Sequence, residues 1–175
     1  TRFGRLVFFT GAATPGFYPL SLRRACRSGD CEGFDCGRES LNRWFRRNAW
    51  RNQESGVSRT SVICDLATGR VVGFVSLSAS QIERAFVARA DQRNRPDPLP
   101  ALLLGQLAVD QDHQGRGYAR SLMLFALTTA VRLSRCIGCF CVLTHPLDNE
   151  VRDFYRRHGF EDLPFDPNQI GRAHV

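Results

Sequence analysis

Lysine is absent from this sequence, and its one methionine is Met123. All 24 basic residues are therefore arginine, against 17 acidic residues, and the formal net charge is +7 at pH 7. Guanidinium groups bind phosphate through paired hydrogen bonds and stack on bases. The charge is consistent with a solvated basic surface, or with a phosphate-bearing partner such as a nucleic acid or a phosphorylated cofactor.

Long apolar runs are also missing, since no stretch approaches the roughly 20 residues that span a bilayer. Near the first residue, arginines precede the apolar patch "LVFF", which is too short for the core of a signal peptide. We therefore expect a cytoplasmic protein. Its 175 residues suit one domain over residues 1–175, with an irregular segment at 1–32. Residues 170–175 break the preceding pattern and are expected to be foreign to the natural protein, so that a final strand is missing.

The seven cysteines are an odd number, and with no signal peptide they argue against a disulfide framework. "CIGCFC" at residues 136–141 contains a CxxC pair, but no second pair completes four zinc ligands. The stretch belongs to an apolar run, where cysteine behaves as a small hydrophobic residue. We expect buried thiols and no metal.

The periodicity of the chain predicts an alternation of helices and strands. The predicted elements are a strand near 4–10, a helix over 38–54 ended by Gly56, a hairpin over 60–80 turning at 67–69, a loop over 89–100, a buried strand over 101–110, a helix over 117–134, a buried strand over 136–144, a helix from the cap Asp148 to the stop Gly159, and a last strand over 160–165. This order indicates the α/β class, with a mixed central sheet flanked by helices.

A polar turn joins the buried strand to the long helix. It reads Gln114-Gly115-Arg116-Gly117, and the helix pattern begins directly after it. The first backbone N–H groups of a helix have no helical partner and favour an anion, and glycine lets the backbone approach a phosphate closely. The spacing is neither G-x-G-x-x-G nor a P-loop. The turn is either a plain connection or a phosphate-binding loop.

The motif Q-x-x-G-x-A after "LAVD", with "FYRRHGF" some 40 residues later, resembles the acetyl-CoA motif of the GNAT N-acetyltransferases. "FDCGRESLNRWFRRNA", "QESGVSRTSVICD" and "RPDPLPALLLGQLAVDQDHQGRGYAR" extend this resemblance to the GNAT toxins of type II toxin–antitoxin systems, TacT-like and AtaT-like, over residues 33–167. The resemblance implies a GNAT fold, acetyl-CoA as co-substrate and acetylation of the α-amine of aminoacyl-tRNA. It also implies a ribbon-helix-helix antitoxin and a homodimer.

The resemblance assigns roles to individual residues. Tyr155 is implied as the general acid beside the thioester, although its spacing also suits a core aromatic. Gln106 stands where relatives often carry arginine. The implied cofactor-binding residues are Leu107, Ala108 and Val109 along the pantetheine, and Gln114, Gly115, Arg116, Gly117, Tyr118, Ala119 and Arg120 around the pyrophosphate.

Other polar residues admit two interpretations. His145 is either a base or a structural histidine, and Asp110 and Asp112 are expected in a turn. Arginines at helical spacing and in the following loop are candidates for tRNA contact, or else form a solvated face: Arg43, Arg46, Arg47, Arg51, Arg93 and Arg95. Three functions remain open: a toxin acting on aminoacyl-tRNA, a GNAT enzyme for a small-molecule or protein amine, and a truncated remnant that binds antitoxin or RNA.

Overall fold

The computed structural model describes residues 19–21, 33–65, 67–164 and 166–173. Its helices are α1 (Glu39–Trp44), α2 (Trp50–Ser55), α3 (Arg89–Gln92), α4 (Tyr118–Ser134) and α5 (Asn149–Arg156), with a π-helical turn over Phe45–Ala49 that makes α1 and α2 one continuous rod. Its strands are β1 (Pro19–Ser21), β2 (Arg59–Cys64), β3 (Val71–Ile82), β4 (Leu99–Val109), β5 (Cys141–Thr144), β6 (Glu161–Leu163) and β7 (Asp166–Ala173).

The strands form one mixed sheet in the order β1-β2-β3-β4-β5-β7-β6. The β4–β5 pair is parallel, because α4 carries the chain back between these two strands, and the other pairs of described strands are antiparallel. This is the mixed sheet flanked by helices that the sequence predicts.

Each face of the sheet carries its own apolar core. On one face α4 and α5 cover sheet residues such as Val75 and Leu104, against which Leu122 of α4 packs. On the other face the α1–α2 rod covers Phe74 and Ala108. Because successive side chains of a strand point to opposite faces, β4 is buried from both sides, as its apolar run predicts.

The predicted helix ends are confirmed. Gly56 ends α2 at φ +79°, a left-handed conformation in which glycine has no steric cost. The Asp148 side chain accepts a hydrogen bond from the Val151 amide at 2.9 Å, which caps α5. Gly159 has φ +82° and follows the end of α5. The hairpin of β2 and β3 also forms with its turn at the predicted place.

Three predictions about the sheet are wrong. Pro19–Ser21 lies in the segment expected to be irregular, yet it pairs with β2 as an edge strand. The strand expected from residue 136 begins only at Cys141, because residues 135–137 turn at the end of α4, and Cys136 is exposed rather than buried. The final strand is not missing, since β7 pairs with β5 and buries Ile170 completely.

One further predicted element differs from the structure, and another lies outside the described residues. The predicted loop over 89–100 includes the short helix α3 and the first residues of β4. The predicted strand near 4–10 lies outside the described residues. Within the described ranges, no helix is long and apolar enough to cross a membrane.

Candidate active site

A β-bulge in β4 opens the sheet at its centre. The register of β3 with β4 shifts between the pairs Ser76–Gln106 and Leu77–Leu104, so Gly105 is the extra residue. The parallel pairing of β4 with β5 ends at Leu104 and Thr144. Beyond that point no described strand pairs with the β5-facing edge of β4, and the two strands separate.

The open edge of β4 presents backbone hydrogen-bonding groups. The Val109 carbonyl accepts a hydrogen bond from the Gln114 side chain at 3.0 Å, whereas the next amide, of Asp110, donates to Val72 on the β3 side. Backbone groups of a strand alternate in direction, so the N–H and C=O of Leu107 share the open edge with the Val109 carbonyl. An extended ligand with amide groups can add here as a further strand.

The polar turn ends at the N-terminus of α4. Gly115 and Gly117 have φ of +73° and +85°, and a Cβ at either would meet no atom within 4 Å. The left-handed backbone, rather than crowding by the protein, therefore requires glycine. Helical bonding begins with the Ser121 amide donating to the Gly117 carbonyl, so the Ala119 and Arg120 amides point out of the helix.

The Gln114 side chain holds the turn instead of pointing away from the protein. Its amide nitrogen donates to the carbonyls of Cys36 at 3.1 Å and Val109 at 3.0 Å. Asp110, expected in a turn, accepts from the Asp112 amide and lies 3.0 Å from the His113 ring nitrogen. The glutamine thus positions the loop, and the exposed backbone of the glycines remains for a ligand.

A network before α1 supports the same loop, and the sequence pattern did not identify it. Asp35 accepts from the Gly37 amide and the Asn42 side chain, and these bonds keep the Asp35 pKa below its usual value. The Asp35 backbone in turn joins Gln111 and Asp110 at 2.8 and 3.2 Å. The only local sign of this network is the polar stretch "DCGRESLN" at the start of α1. The partners of Asp35 in the loop lie about 75 residues further along the chain, so a local pattern does not reveal them.

A cleft of about 590 Å³ passes between the α1–α2 rod, the second half of β4 and the first turns of α5. Leu107, Ala108, Val109, Gln114, Ala119 and Tyr155 all line it, together with Gln106 and His145. The structure therefore brings Tyr155 together with half of the predicted cofactor-binding residues. The candidate arginines for tRNA contact do not line this cleft, nor do Gly115, Arg116, Gly117, Tyr118 and Arg120. Arg38 and Asp148 form an ion pair at 2.6 Å that links the start of α1 to the cap of α5.

Tyr155 is almost fully buried at one wall of this cleft, with 5% of its surface exposed. Its ring packs edge-on against Phe160 at 5.3 Å and Phe154 at 5.6 Å. Burial raises the pKa of its hydroxyl, and a hydrogen bond with Thr144 partly offsets this. Thr144 ends β5 and donates to the Leu104 carbonyl at 2.9 Å, so the phenol stands where β4 and β5 separate.

The other candidate residues are spread over three places: the cleft, the α1–α2 rod and the loop after α3. His145 is exposed in the cleft, directly after β5. Arg43, Arg46, Arg47 and Arg51 are exposed on the α1–α2 rod, although Arg43 and Arg46 both pair with Glu39. Arg93 is exposed in the loop after α3. Arg95 is half-buried, pairs with Asp91 and lies 4.5 Å over the Phe140 ring, so it has a structural role.

The fold and site define a class of protein: an α/β fold in which a glycine turn at a helix N-terminus, an open strand edge and a buried tyrosine hydroxyl lie around one cleft. The acetyltransferase (GNAT) domain model matches residues 58–162. A tRNA-acetylating toxin from Mycobacterium tuberculosis (strain ATCC 25618 / H37Rv) is 39% identical over 145 residues, covering 83% of this chain and 86% of that protein. The chain belongs to the GNAT acetyltransferases.

Solved structures that superpose on this chain support the same family assignment. A mutant of KacT superposes with a TM-score of 0.84 at 25% identity, covering 90% of this chain and 95% of that chain. AtaT complexed with acetyl-methionyl-tRNAfMet gives a TM-score of 0.82 at 25% identity, covering 90% and 94%. The protein is thus an N-acetyltransferase with the same fold as these two, and acetyl-CoA is the acetyl donor of its family.

Proposed function

We propose that this protein is a toxin that transfers acetyl from acetyl-CoA to the α-amine of aminoacyl-tRNA and so blocks translation. The observation that carries the proposal is the coincidence, around one cleft, of the open β4 edge, the buried Tyr155 hydroxyl, and Gln114 and Ala119, which flank the glycine turn of α4. The 39% identical relative is named a tRNA-acetylating toxin, and AtaT holds an acetylated aminoacyl-tRNA.

The backbone of the turn and of β4 would bind the cofactor. The pyrophosphate would accept hydrogen bonds from amides of Gly115, Gly117, Ala119 and Arg120, favoured by the positive end of α4. The arginine side chains of the turn, Arg116 and Arg120, are exposed and add positive charge. The pantetheine amides would pair with Leu107 and Val109 on the open edge, which brings the thioester to the bulge.

The reaction requires that the amine be positioned at the thioester, that the thioester carbonyl be polarised, and that the leaving thiolate receive a proton. The neutral α-amine attacks the thioester carbonyl carbon, the carbon–sulfur bond breaks, and the departing thiolate takes the proton of the Tyr155 hydroxyl. The proton lost by the amine returns to solvent, from which the phenolate is reprotonated. The raised pKa of Tyr155 keeps the phenol protonated before transfer, as this role requires.

The partners of this activity follow from the same proposal. Exposed arginines of the α1–α2 rod and Arg93 would contact tRNA phosphates, because a basic surface attracts a polyanion. A ribbon-helix-helix antitoxin would neutralise the enzyme, and two copies would form a homodimer. The formal charge of +7 supports a polyanionic partner such as tRNA.

Incubation with labelled acetyl-CoA and a total charged-tRNA pool tests the proposal. Label should enter charged tRNA and leave it when mild alkali cleaves the aminoacyl ester. Deacylated tRNA, free amino acids and a mixture of proteins are the matched acceptors. Labelling of a protein or small amine but not of charged tRNA would show that the second GNAT function, and not the toxin activity, is correct.

A further inference from the structure

Hydrogen bonds attach one end of the open β4 edge to the helix that carries Tyr155. The Thr144 hydroxyl donates to the Leu104 carbonyl of β4 at 2.9 Å and also hydrogen-bonds the Tyr155 phenol. Tyr155 belongs to α5, and α5 begins after its cap Asp148, whose Oδ1 accepts from the Val151 amide. These contacts run without a break from the bulged end of the edge to the first turn of α5.

A second set of contacts attaches the other end of the edge to the α1–α2 rod. The Gln114 side chain donates to the Val109 carbonyl of β4 at 3.0 Å and to the Cys36 carbonyl at 3.1 Å. Two residues after Cys36, the Arg38 carbonyl accepts the first helical hydrogen bonds of α1, so this backbone segment leads directly into the rod. Leu107, whose backbone groups face the open edge, lies between the two attachments.

The Arg38–Asp148 ion pair joins these two sets of contacts. Arg38 Nη2 lies 2.6 Å from Asp148 Oδ2, while the other oxygen of the same carboxylate caps α5. The contacts thus form a closed ring that starts and ends on β4 and has the Leu107 backbone inside it. Four members of this ring line the cleft: Cys36, Arg38, Gln114 and Tyr155.

The ion pair is the most exposed contact of the ring. The Arg38 and Asp148 side chains are 42% and 37% exposed, whereas the Gln114 bonds are partly buried and the bond from Thr144 to β4 is buried. Exposed ion pairs open readily, because water and salt compete for both charges. A ligand that lies along Leu107 can therefore leave sideways where the pair opens, or else must slide lengthwise through the ring.

We propose that the Arg38–Asp148 pair is a clasp that retains the pantetheine arm of acetyl-CoA against β4 and sets the rate at which the cofactor exchanges. The inference rests on the proposed function, which places the arm along the β4 edge and the nucleotide at the glycine turn. The nucleotide end is much wider than the arm, so the arm enters from the side when the pair opens. Arg38 is then a positioning residue that acts through Asp148.

The alternative role for Arg38 is a direct one, in which its guanidinium binds the phosphates of the cofactor. The two roles make opposite predictions for Asp148. If Arg38 binds phosphate, removal of the Asp148 charge frees the guanidinium and slows dissociation of the cofactor. If the pair is a clasp, removal of either side chain opens the ring and speeds dissociation.

Stopped-flow binding of acetyl-CoA, followed by the fluorescence of Trp44 in the cleft wall, measures association and dissociation rates. In Arg38→Gln and in Asp148→Ser we expect dissociation to accelerate by roughly two- to fivefold, the range that an exposed ion pair supports. Serine still caps α5 but is uncharged and too short to reach Arg38 as well. The double variant should dissociate no faster than either single variant, since the same pair is lost in all three.

Arg156→Gln is the matched control. It breaks exposed ion pairs with Asp153 and Asp162 on the same helix but outside the cleft, and it should keep the parent rates. The acceleration in the clasp variants should shrink at about 1 M salt, where screening already weakens the pair in the parent.

Slower dissociation in Asp148→Ser, additive effects in the double variant, or parent rates in both single variants would overturn the clasp alone. A parent protein that does not bind acetyl-CoA would overturn the proposed cofactor site together with the clasp. Failure to acetylate any charged tRNA, with the expected rates of cofactor exchange, would overturn the proposed toxin activity and leave the clasp supported.

Discussion

Tyr155 combines a packing role and a candidate chemical role in one side chain. Its ring contacts Phe154 and Phe160, and its hydroxyl lies at the junction of β4 and β5 beside Thr144. A core aromatic without function would need only the ring. The two roles can be separated experimentally because phenylalanine retains the ring and removes the hydroxyl.

In Tyr155→Phe we expect turnover to fall by roughly 10²–10⁴-fold, the usual contribution of a positioned general acid. Acetyl-CoA affinity should change little, because the glycine turn is untouched. Turnover, calorimetric affinity and melting temperature are measured on one preparation. A variant that melts lower and turns over at the parent rate would mean that Tyr155 is structural and the proton donor lies elsewhere.

The pH dependence of turnover provides a second test of the same residue. A general acid acts in its protonated form, and burial raises the pKa of Tyr155 above its ordinary value of 10.0. The acid is therefore present throughout the neutral and mildly alkaline range and is lost only as pH rises through the raised pKa. After spontaneous thioester hydrolysis is subtracted, kcat should not fall between pH 7 and about 10 through deprotonation of Tyr155. An alkaline decline near pH 8 that disappears in Tyr155→Phe would contradict the assignment.

The glycine turn before α4 is the element on which we propose that cofactor binding depends. Gly117 at φ +85° directly precedes the first turn of α4, and no atom lies within 4 Å of the point where a side chain would begin. In Gly117→Asp a carboxylate would face the pyrophosphate, and we expect acetyl-CoA affinity to fall by about tenfold or more. Gly117→Asn is the control of similar size, since asparagine tolerates the left-handed conformation and carries no charge. Equal affinity in the parent and the aspartate variant would place the pyrophosphate elsewhere.

Local signals in the sequence predict local features of these elements well. Gly56, Asp148 and Gly159 mark helix ends because their conformations or caps depend on neighbours a few residues away. The turn at Gly115 and Gly117 is identifiable for the same reason. The strand, glycine turn and helix that we propose bind phosphate could thus be predicted as local structure, because they follow one another in the chain.

Features that depend on distant partners could not be predicted in this way. The bulge at Gly105 arises from the register of β3, β1 forms on the free edge of β2, and β7 inserts between β5 and β6. The π-helical turn accompanies the stacking of Phe45 on Phe74 at 4.4 Å, which joins segments almost thirty residues apart. No pattern within one segment contains these pairings, and the open edge of β4 results from them.

Across the whole molecule, acidic side chains contribute stability that depends on pH. Hydrogen bonds from the Gly37 amide to Asp35, from the Val151 amide to Asp148 and from Arg156 to Asp162 lower the pKa values of these carboxyls. A lowered folded-state pKa gives stability that is present above the unfolded value and lost as pH falls through the folded value.

The melting temperature should therefore be nearly constant from pH 7 to about 5 and fall below about pH 4. Asp148→Asn keeps an acceptor for the Val151 amide but cannot titrate, so its loss of stability on acidification should be smaller than that of the parent. A melting temperature that rises on acidification below pH 4 would contradict the stated contribution of these carboxylates.

The basic surface of the α1–α2 rod can be examined by the salt dependence of tRNA binding. Replacing Arg43, Arg46, Arg47 and Arg51 by glutamine should weaken binding and flatten the slope of log affinity against log salt by about 0.7–0.9 for each phosphate that is no longer neutralised. Arg132→Gln on α4, on the opposite face of the sheet, is the control and should keep the parent slope. If the variant with all four substitutions has the same salt slope as the parent protein, this face is not part of the tRNA site.

The central claim is that the cleft between the α1–α2 rod, β4 and α5 holds acetyl-CoA with its thioester beside Tyr155. The most direct measurement is a crystal structure of the complex with acetyl-CoA. We predict the pyrophosphate on the amides of Gly117, Ala119 and Arg120, the pantetheine paired with Leu107, and the thioester sulfur within hydrogen-bonding reach, about 3–4 Å, of the Tyr155 hydroxyl. A cofactor bound outside this cleft, or a sulfur on the far side of the bulge from Tyr155, would contradict it.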